Sequence, residues 1–222
     1  MTGITDDAEP AGTRTMAIVH NAVRRDLARA RRTIATEPYP ADRQRRALAT
    51  HLQWMMHFLH KHHTSEDSGL FPVVRQRNPA AADLLDAMDR DHRSILPGMQ
   101  SVTESAGAYR SNAQARGRVV EAIDMLSASL LPHLAREEDE MMPVVARSIS
   151  RADWDRWEQQ SNVGTRSKRE LAKEGLWILE GQSPEDRRVI EELVPPVQRW
   201  ILLHVFGLGY RRRASIRWGE LN

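Results

Sequence analysis

The chain has 222 residues, 41% of them hydrophobic, and its 32 basic residues nearly balance 30 acidic ones. This length suits one domain with an appendage, and the balanced charge gives no reason to expect nucleic acid as a partner. There is no cysteine, which excludes disulfides, thiolate metal sites and iron–sulfur clusters. No apolar run reaches the roughly 18 to 20 residues that cross a bilayer, and no secretory signal is apparent, so a cytoplasmic protein is expected.

A flexible N-terminal segment is expected over residues 1–12, and four amphipathic helices follow it. Apolar residues recurring at spacings of three and four predict these helices near Thr13–Ala35, near Ala41–Leu70, from Pro79 onward and near Arg116–Met142. Pro97 is expected to kink the third helix or end it early, and Pro132 to bend the fourth.

A motif occurs twice along the chain. His62-x-x-x-Glu66 and His133-x-x-x-Glu137 belong to segments, HHTSEDSGLFPVV and HLAREEDEMMPVV, that align without gaps. A histidine and a glutamate four residues apart point from the same face of a helix. A duplicated helical hairpin folds most simply into a four-helix bundle, so we predict an all-α, antiparallel up-and-down bundle over residues 13–148.

All four predicted helices interrupt their apolar stripe with histidine or glutamate. The six residues concerned are His20, His62, Glu66, His92, His133 and Glu137. A carboxylate or imidazole on a core stripe gives up hydration worth about several kcal/mol unless something pairs with it, and a bound cation satisfies all six at once. Imidazole and carboxylate without sulfur suit iron, manganese or zinc, and two carboxylates able to bridge favour a pair of ions.

The remaining histidines are interpreted differently. Four of them lack a counterpart in the second repeat and are assigned surface or packing roles: His51, His57, His60 and His204. His63 is ambiguous because it neighbours His62, but the repeat places Leu134 opposite it. His62 is therefore taken as the ligand, and His63→Ala is expected to retain the metal. Asp67 and Glu138 either orient ligands or face solvent.

The pattern H…HxxxE…H…HxxxE, with LFP after the first glutamate, resembles the hemerythrin-like, or HHE cation-binding, family over about residues 13–148. The resemblance implies a bundle around a carboxylate- and oxo-bridged non-haem di-iron centre, which makes iron the favoured metal over manganese or zinc. It also implies terminal imidazoles from His20, His62, His92 and His133, and bridging carboxylates from Glu66 and Glu137.

The chain departs from the oxygen-carrying hemerythrins, which have a fifth histidine one turn from the position of His92. Met88 and Leu96 stand at the two candidate positions here. On two octahedral irons, two bridging carboxylates, an oxo bridge and four histidines leave two coordination positions open, whereas five histidines leave one. Tyr109 is a weaker candidate for filling a vacancy.

The more open centre favours reaction over reversible carriage. The leading hypothesis is a di-iron protein that reacts with nitric oxide, oxygen or hydrogen peroxide in redox or nitrosative stress chemistry, with an unknown electron donor. The alternative is a non-catalytic protein that binds or senses oxygen or iron.

Residues 149–222 are predicted to form additional helices that pack on the bundle, near Ala152–Gln160, Arg166–Leu179 and Glu185–Phe206. Four tryptophans supply apolar area for docking: Trp154, Trp157, Trp177 and Trp200. A helical cap over the metal pocket is favoured. A homodimer surface, or a peripheral membrane contact through the tail FGLGYRRRASIRWGE, is the alternative, so either a monomer or a homodimer is expected.

Overall fold

The structure, a computed structural model, describes residues 11–219. Its regular elements within this range are all helical, which confirms the predicted all-α class. The segment predicted to be flexible, residues 1–12, lies outside the described residues apart from Ala11 and Gly12.

Four long helices form the antiparallel bundle. They are α1 (Arg14–Ala35), α2 (Asp42–Ser65), α4 (Ala82–Ser111) and α5 (Arg116–Arg136), and α2 and α5 continue through π-helical turns, Glu66–Leu70 and Glu137–Met141, into α3 (Phe71–Arg77) and α6 (Met142–Ser148). Helix α2 packs on α4, α4 on α5, and α5 on α1. Pro97 lies inside α4 and does not end it, because the buried Ile95 and Met99 hold the helix in the core on both sides.

The two π-helical turns follow from the repeated prolines. Pro72 lacks an N–H, and in a regular α-helix its ring would clash with the carbonyl group four residues earlier. The widened turn avoids this clash, since the Phe71 N–H donates to the Glu66 carbonyl five residues back. The same turn begins at Glu137 in the second repeat, before Pro143. Each predicted ligand glutamate therefore starts a π-helical turn, a feature that is frequent at functional sites.

The apolar core is divided into two clusters by a polar layer. The larger cluster includes Val23, Leu59, Ile95 and Leu130, and the smaller one includes Met16, Leu70, Met88 and Met141. Each bundle helix, with its π-helical continuation, contributes to both clusters. His62, Glu66, His92 and Glu137 lie between the two contributions, and His20 and His133 lie within one helical turn of the boundary. The predicted ligands therefore form one layer across the bundle.

The C-terminal residues form five further helices against the bundle. They are α7 (Arg151–Trp157), α8 (Lys168–Leu179), α9 (Pro184–Glu192), α10 (Pro196–Ile201) and α11 (Gly207–Trp218), with π-helical turns at Glu158–Val163 and Leu202–Phe206. Capping boxes at Ser150 and Ser167 start α7 and α8. The predicted segment Glu185–Phe206 consists of α9, α10 and a π-helical turn, and α11 extends the helical structure beyond it and packs along α2.

A buried polar cluster connects these C-terminal helices to the bundle. Asp26 of α1 accepts hydrogen bonds from the Trp177 indole (2.8 Å) and His51 Nε2 (2.6 Å), and Arg217 of α11 donates to His51 Nδ1. Burial raises the pKa of Asp26, but the hydrogen bond and charge of His51 and the neighbouring Arg25 outweigh it, so this pKa lies well below its usual range. The carboxylate is thus ionised and fully paired.

The other histidines and tryptophans differ in exposure. His51 is buried, while His57, His60 and His204 are exposed, which confirms their surface or packing roles. Three of the four tryptophans expected to dock are buried: Trp154, Trp157 and Trp177. Trp200 is 59% exposed, so the prediction is wrong for this residue.

Between residues 11 and 219, no helix combines the length and apolar character needed to cross a membrane.

Trp177→Phe should destabilise the protein by about 2 kcal/mol, because the buried Asp26 carboxylate loses a donor and the ring volume shrinks. Urea unfolding measures the free energy. Trp200→Phe is the matched control and should change it by less than about 0.5 kcal/mol, since this ring is exposed. Equal losses in both variants would show that Trp177 does not anchor the extension.

The free energy of unfolding should fall as the pH drops from about 6.5 to about 4, because His51 takes up a proton more readily in the unfolded chain. Burial, opposed by Asp26 and reinforced by Arg217, lowers its pKa to about 4, so in this window the unfolded chain binds a proton that the native chain does not. His51→Gln should make the dependence of unfolding free energy on pH shallower by on the order of 2 kcal/mol across the window. The exposed His57→Gln is the control, and a parallel dependence in wild type and His51→Gln would contradict the prediction.

Candidate metal centre

All six predicted ligand residues meet at one buried position within the polar layer. Glu66 and Glu137 are fully buried, and none of the four histidines is more than 6% exposed. The donor atoms form two groups, in each of which they lie within 4.8 Å of one another. One group contains His20, His62 and Glu137, and the other contains His63, His92 and His133.

The two carboxylates connect these groups. Glu66 places Oε1 3.1 Å from His62 Nε2 and Oε2 3.7 Å from His92 Nε2. Glu137 Oε2 lies 3.4 Å from His20 Nε2 and 3.6 Å from Nε2 of its own helical neighbour His133. Each carboxylate therefore faces one histidine from each group, as a bridging ligand would.

His63 is the residue that sequence reasoning set aside and the structure places in the centre. It is 4% exposed, and its ring stacks on His92 with centroids 4.2 Å apart. Neither ring nitrogen has a hydrogen-bond partner among the described residues. The structure thus brings five histidines together, with His62 and His63 turned toward different groups.

A signal for His63 was present in the sequence. Met56 and Leu59, both buried, lie seven and four residues before it, so His63 continues the apolar stripe of α2 as closely as His62 does. The repeat misled the prediction, because its counterpart Leu134 is an ordinary buried residue of the core. Only one half of the duplicated structure carries the extra imidazole.

Two acidic residues form hydrogen bonds with the outer nitrogens of histidines. Nδ1 of His20 lies 2.7 Å from Glu138 Oε1, and Nδ1 of His92 lies 2.7 Å from Asp67 Oδ1. These contacts leave Nε2 of each ring directed toward the centre, which resolves the two alternatives for Asp67 and Glu138 in favour of orienting histidines. Asp91 makes a longer contact, 3.6 Å from His133 Nδ1, and was not singled out from the sequence.

The donor set fits a bound cation. Most of the buried polar side-chain atoms that lack a hydrogen-bond partner in the described chain belong to five residues of this layer: His63, Glu66, His92, His133 and Glu137. Unpaired buried donors and acceptors are costly. Two ions coordinated by the two groups would satisfy the carboxylate oxygens and one nitrogen of each imidazole.

The electrostatics of the layer support the same conclusion. Burial, together with the neighbouring histidines, lowers the pKa of His62, His63 and His133. Burial raises the pKa of Glu66, and Glu137 reinforces the effect. Neutral imidazole is the form that binds metal, and a cation reverses the burial penalty on the carboxylates. Charged side chains in this layer are therefore destabilised by burial, and a bound cation would stabilise the two carboxylates.

Tyr109 lies far from this layer. It is buried in the last turn of α4, where its carbonyl accepts a hydrogen bond from Arg45 at 2.8 Å. Arg45 precedes His62 by 17 residues of α2, which corresponds to about 25 Å along the helix. The structure therefore excludes Tyr109 as a ligand.

One cavity connects the centre with the C-terminal helices. It has a volume of about 180 Å³ and is lined by His62 and Phe58 of α2, residues of α1, and side chains from α7 through α8. The Trp157 indole donates a hydrogen bond to the Ser65 carbonyl at 2.9 Å, directly before Glu66. A Cβ atom on Gly69 would lie 2.7 Å from this ring, so glycine is required for the close approach.

Of the comparisons with known proteins, the one with protein-family models gave a match. No curated protein and no solved structure gave a match to the chain. The family model described as hemerythrin HHE cation binding domain matches residues 11–145, which is more than half of the chain and contains the whole ligand layer. The chain belongs to the hemerythrin HHE cation-binding domain family.

Proposed function

We propose that the protein is a non-haem di-iron protein that binds one small diatomic or peroxide ligand at its centre. The observation that carries the proposal is the layer of five histidines and two glutamates in two groups, which both carboxylates connect. His20 and His62 would hold one iron, and His63, His92 and His133 the other. Glu66 and Glu137 would bridge them. When bound, the metal pair supplies redox capacity and a site for a small ligand.

His63 changes the count of open positions. Four histidines would leave two positions open on two octahedral ions, but the fifth reduces them to one. A single open position favours binding of one small ligand, such as oxygen, nitric oxide or peroxide. The fifth histidine therefore favours ligand binding over the chemistry of a more open centre.

The C-terminal helices favour small ligands for a second reason. The cavity beside His62 is small, about 180 Å³, and the helices from α7 to α8 form one of its walls. Arg166 and Glu174 form an ion pair there, with Nε and Oε2 3.1 Å apart. The extension acts as a cap that restricts access and excludes bulk water.

Reduction of peroxide is the second candidate, and Glu158 favours it. This residue lines the same cavity, and burial raises the pKa of its carboxyl group above the usual range. Reduction of hydrogen peroxide to water consumes two protons and two electrons. Glu158 could pass protons to a ligand in the cavity, while an external donor supplies the electrons.

Metal content tests the ligand set. The wild-type protein should contain two irons per chain, and His62→Ala and His63→Ala should each lose at least one, because each removes an imidazole from a different group. His60→Ala is the matched control on α2, where the side chain is exposed, and should retain both. Two irons in His63→Ala, with an unchanged optical spectrum, would overturn the five-histidine assignment.

Ligand kinetics test the cap. Val163 lines the cavity and is 39% exposed, so Val163→Trp should fill its mouth and slow the association of nitric oxide with the iron-loaded protein by about tenfold or more. Val197→Trp, at a 69% exposed residue away from the cavity, is the control. Unchanged rates in Val163→Trp would refute the cap.

The same preparations distinguish the two candidate functions. Reversible binding without turnover supports the binding protein. Peroxide turnover with an added reductant, reduced about tenfold or more in Glu158→Gln while the iron content is retained, supports the peroxidase.

A further inference from the structure

A second cavity lies between the bundle and the C-terminal helices, away from the metal centre. Its volume is about 310 Å³, and it is lined by Arg46, Ala47, Thr50 and His51 of α2, Lys173 of α8, and Tyr210, Arg213, Ile216 and Arg217 of α11. Thr50 precedes His62 by twelve residues, about 18 Å along the helix. We refer to it as the basic cavity.

Four cationic side chains line the basic cavity, and none of the lining residues is acidic. Within residues 11–219, no carboxylate lies at ion-pair distance from Lys173, Arg213 or Arg217. Arg46 has one acidic neighbour, the exposed Asp42, with Nη1 and Oδ2 3.7 Å apart. Lys173 places its ammonium group 3.9 Å from the centroid of the Trp54 ring, which does not neutralise its charge.

Arg217 shows that the cavity is more than a solvated basic surface. Its side chain is buried, with the residue 7% exposed, and its Nη1 donates a hydrogen bond to His51 Nδ1. Its Nε is buried without a hydrogen-bond partner among the described residues. Burial, and then the charges of Arg217 and Arg213, lower the pKa of Lys173 to about 8. Like charges are thus crowded in a partly buried place, which is costly unless an anion offsets them.

The arrangement of the donors matches a multivalent anion. Arg213 and Arg217 are four residues apart on α11, so they lie on one face, and Arg46 and Thr50 have the same spacing on α2. Lys173 adds a point charge from a third helix. Guanidinium groups bind phosphate through paired N–H groups, and a hydroxyl and an ammonium complete such a site.

We propose that the basic cavity binds a small molecule that carries a phosphate group. The volume exceeds that of phosphate itself, so the remainder of the molecule would lie against Ala47, Tyr210 and Ile216. Since the lining comes from α2, α8 and α11, the ligand would bridge the bundle and the extension and stabilise their contact. The proposal does not depend on the metal assignment.

Titration calorimetry of the full-length, metal-loaded protein tests this site, with pyrophosphate and inorganic phosphate as probes at constant ionic strength. Wild type should bind pyrophosphate saturably with one site per chain. Arg213→Gln should weaken binding at least about tenfold, because it removes a guanidinium of the cavity. Arg212→Gln is the matched control, with the same change in charge on the exposed side of α11, and should change affinity by less than about twofold. Arg213 is itself exposed, so neither variant should unfold the protein.

The outcomes separate specific binding from diffuse attraction. Absence of saturable binding to every probe, or equal weakening by both variants, would overturn the proposal. Vesicles containing phosphatidic acid identify the source of the phosphate. Vesicle binding that is lost in Arg213→Gln but kept in Arg212→Gln, without binding of soluble probes, would assign it to a lipid headgroup. Binding of soluble pyrophosphate alone would assign it to a soluble metabolite.

Discussion

Removing seven nitrogen- and oxygen-bearing side chains from water is the constraint on which the rest of the structure depends. They lie between two apolar clusters, and most of their inner atoms have no partner within the described chain. A bundle can maintain such a layer only if something compensates the lost hydration. Cation binding supplies this compensation, and it explains why the family model extends across all four helices that contribute ligands.

The duplicated hairpins share their backbone and differ in what is attached to them. Both have a ligand glutamate at the start of a π-helical turn and a proline that requires the turn to widen. Only the first has a second imidazole, His63, and only the first has Gly69, against which Trp157 packs. The extra imidazole and the contact with the extension therefore lie on the same half of the bundle.

The C-terminal helices contact the bundle at two buried polar regions. On one side, α7 to α8 form a wall of the small cavity beside His62. On the other, Trp177 and Arg217 complete a cluster around Asp26 and His51, next to the basic cavity. The same helix, α8, lines both cavities.

The sequence by itself determined the four helices and the six histidines and glutamates that it places in the buried polar layer, because helical periodicity and a repeated motif are local properties of the chain. It did not determine His63, since two adjacent residues can both face a wide core stripe and only packing against α4 and α5 decides how each ring turns. The tertiary structure alone also decided that Pro97 leaves α4 intact, that α11 packs along α2, and that four cationic side chains line one cavity. These features depend on contacts between residues far apart in the chain, which spacing along one helix does not encode.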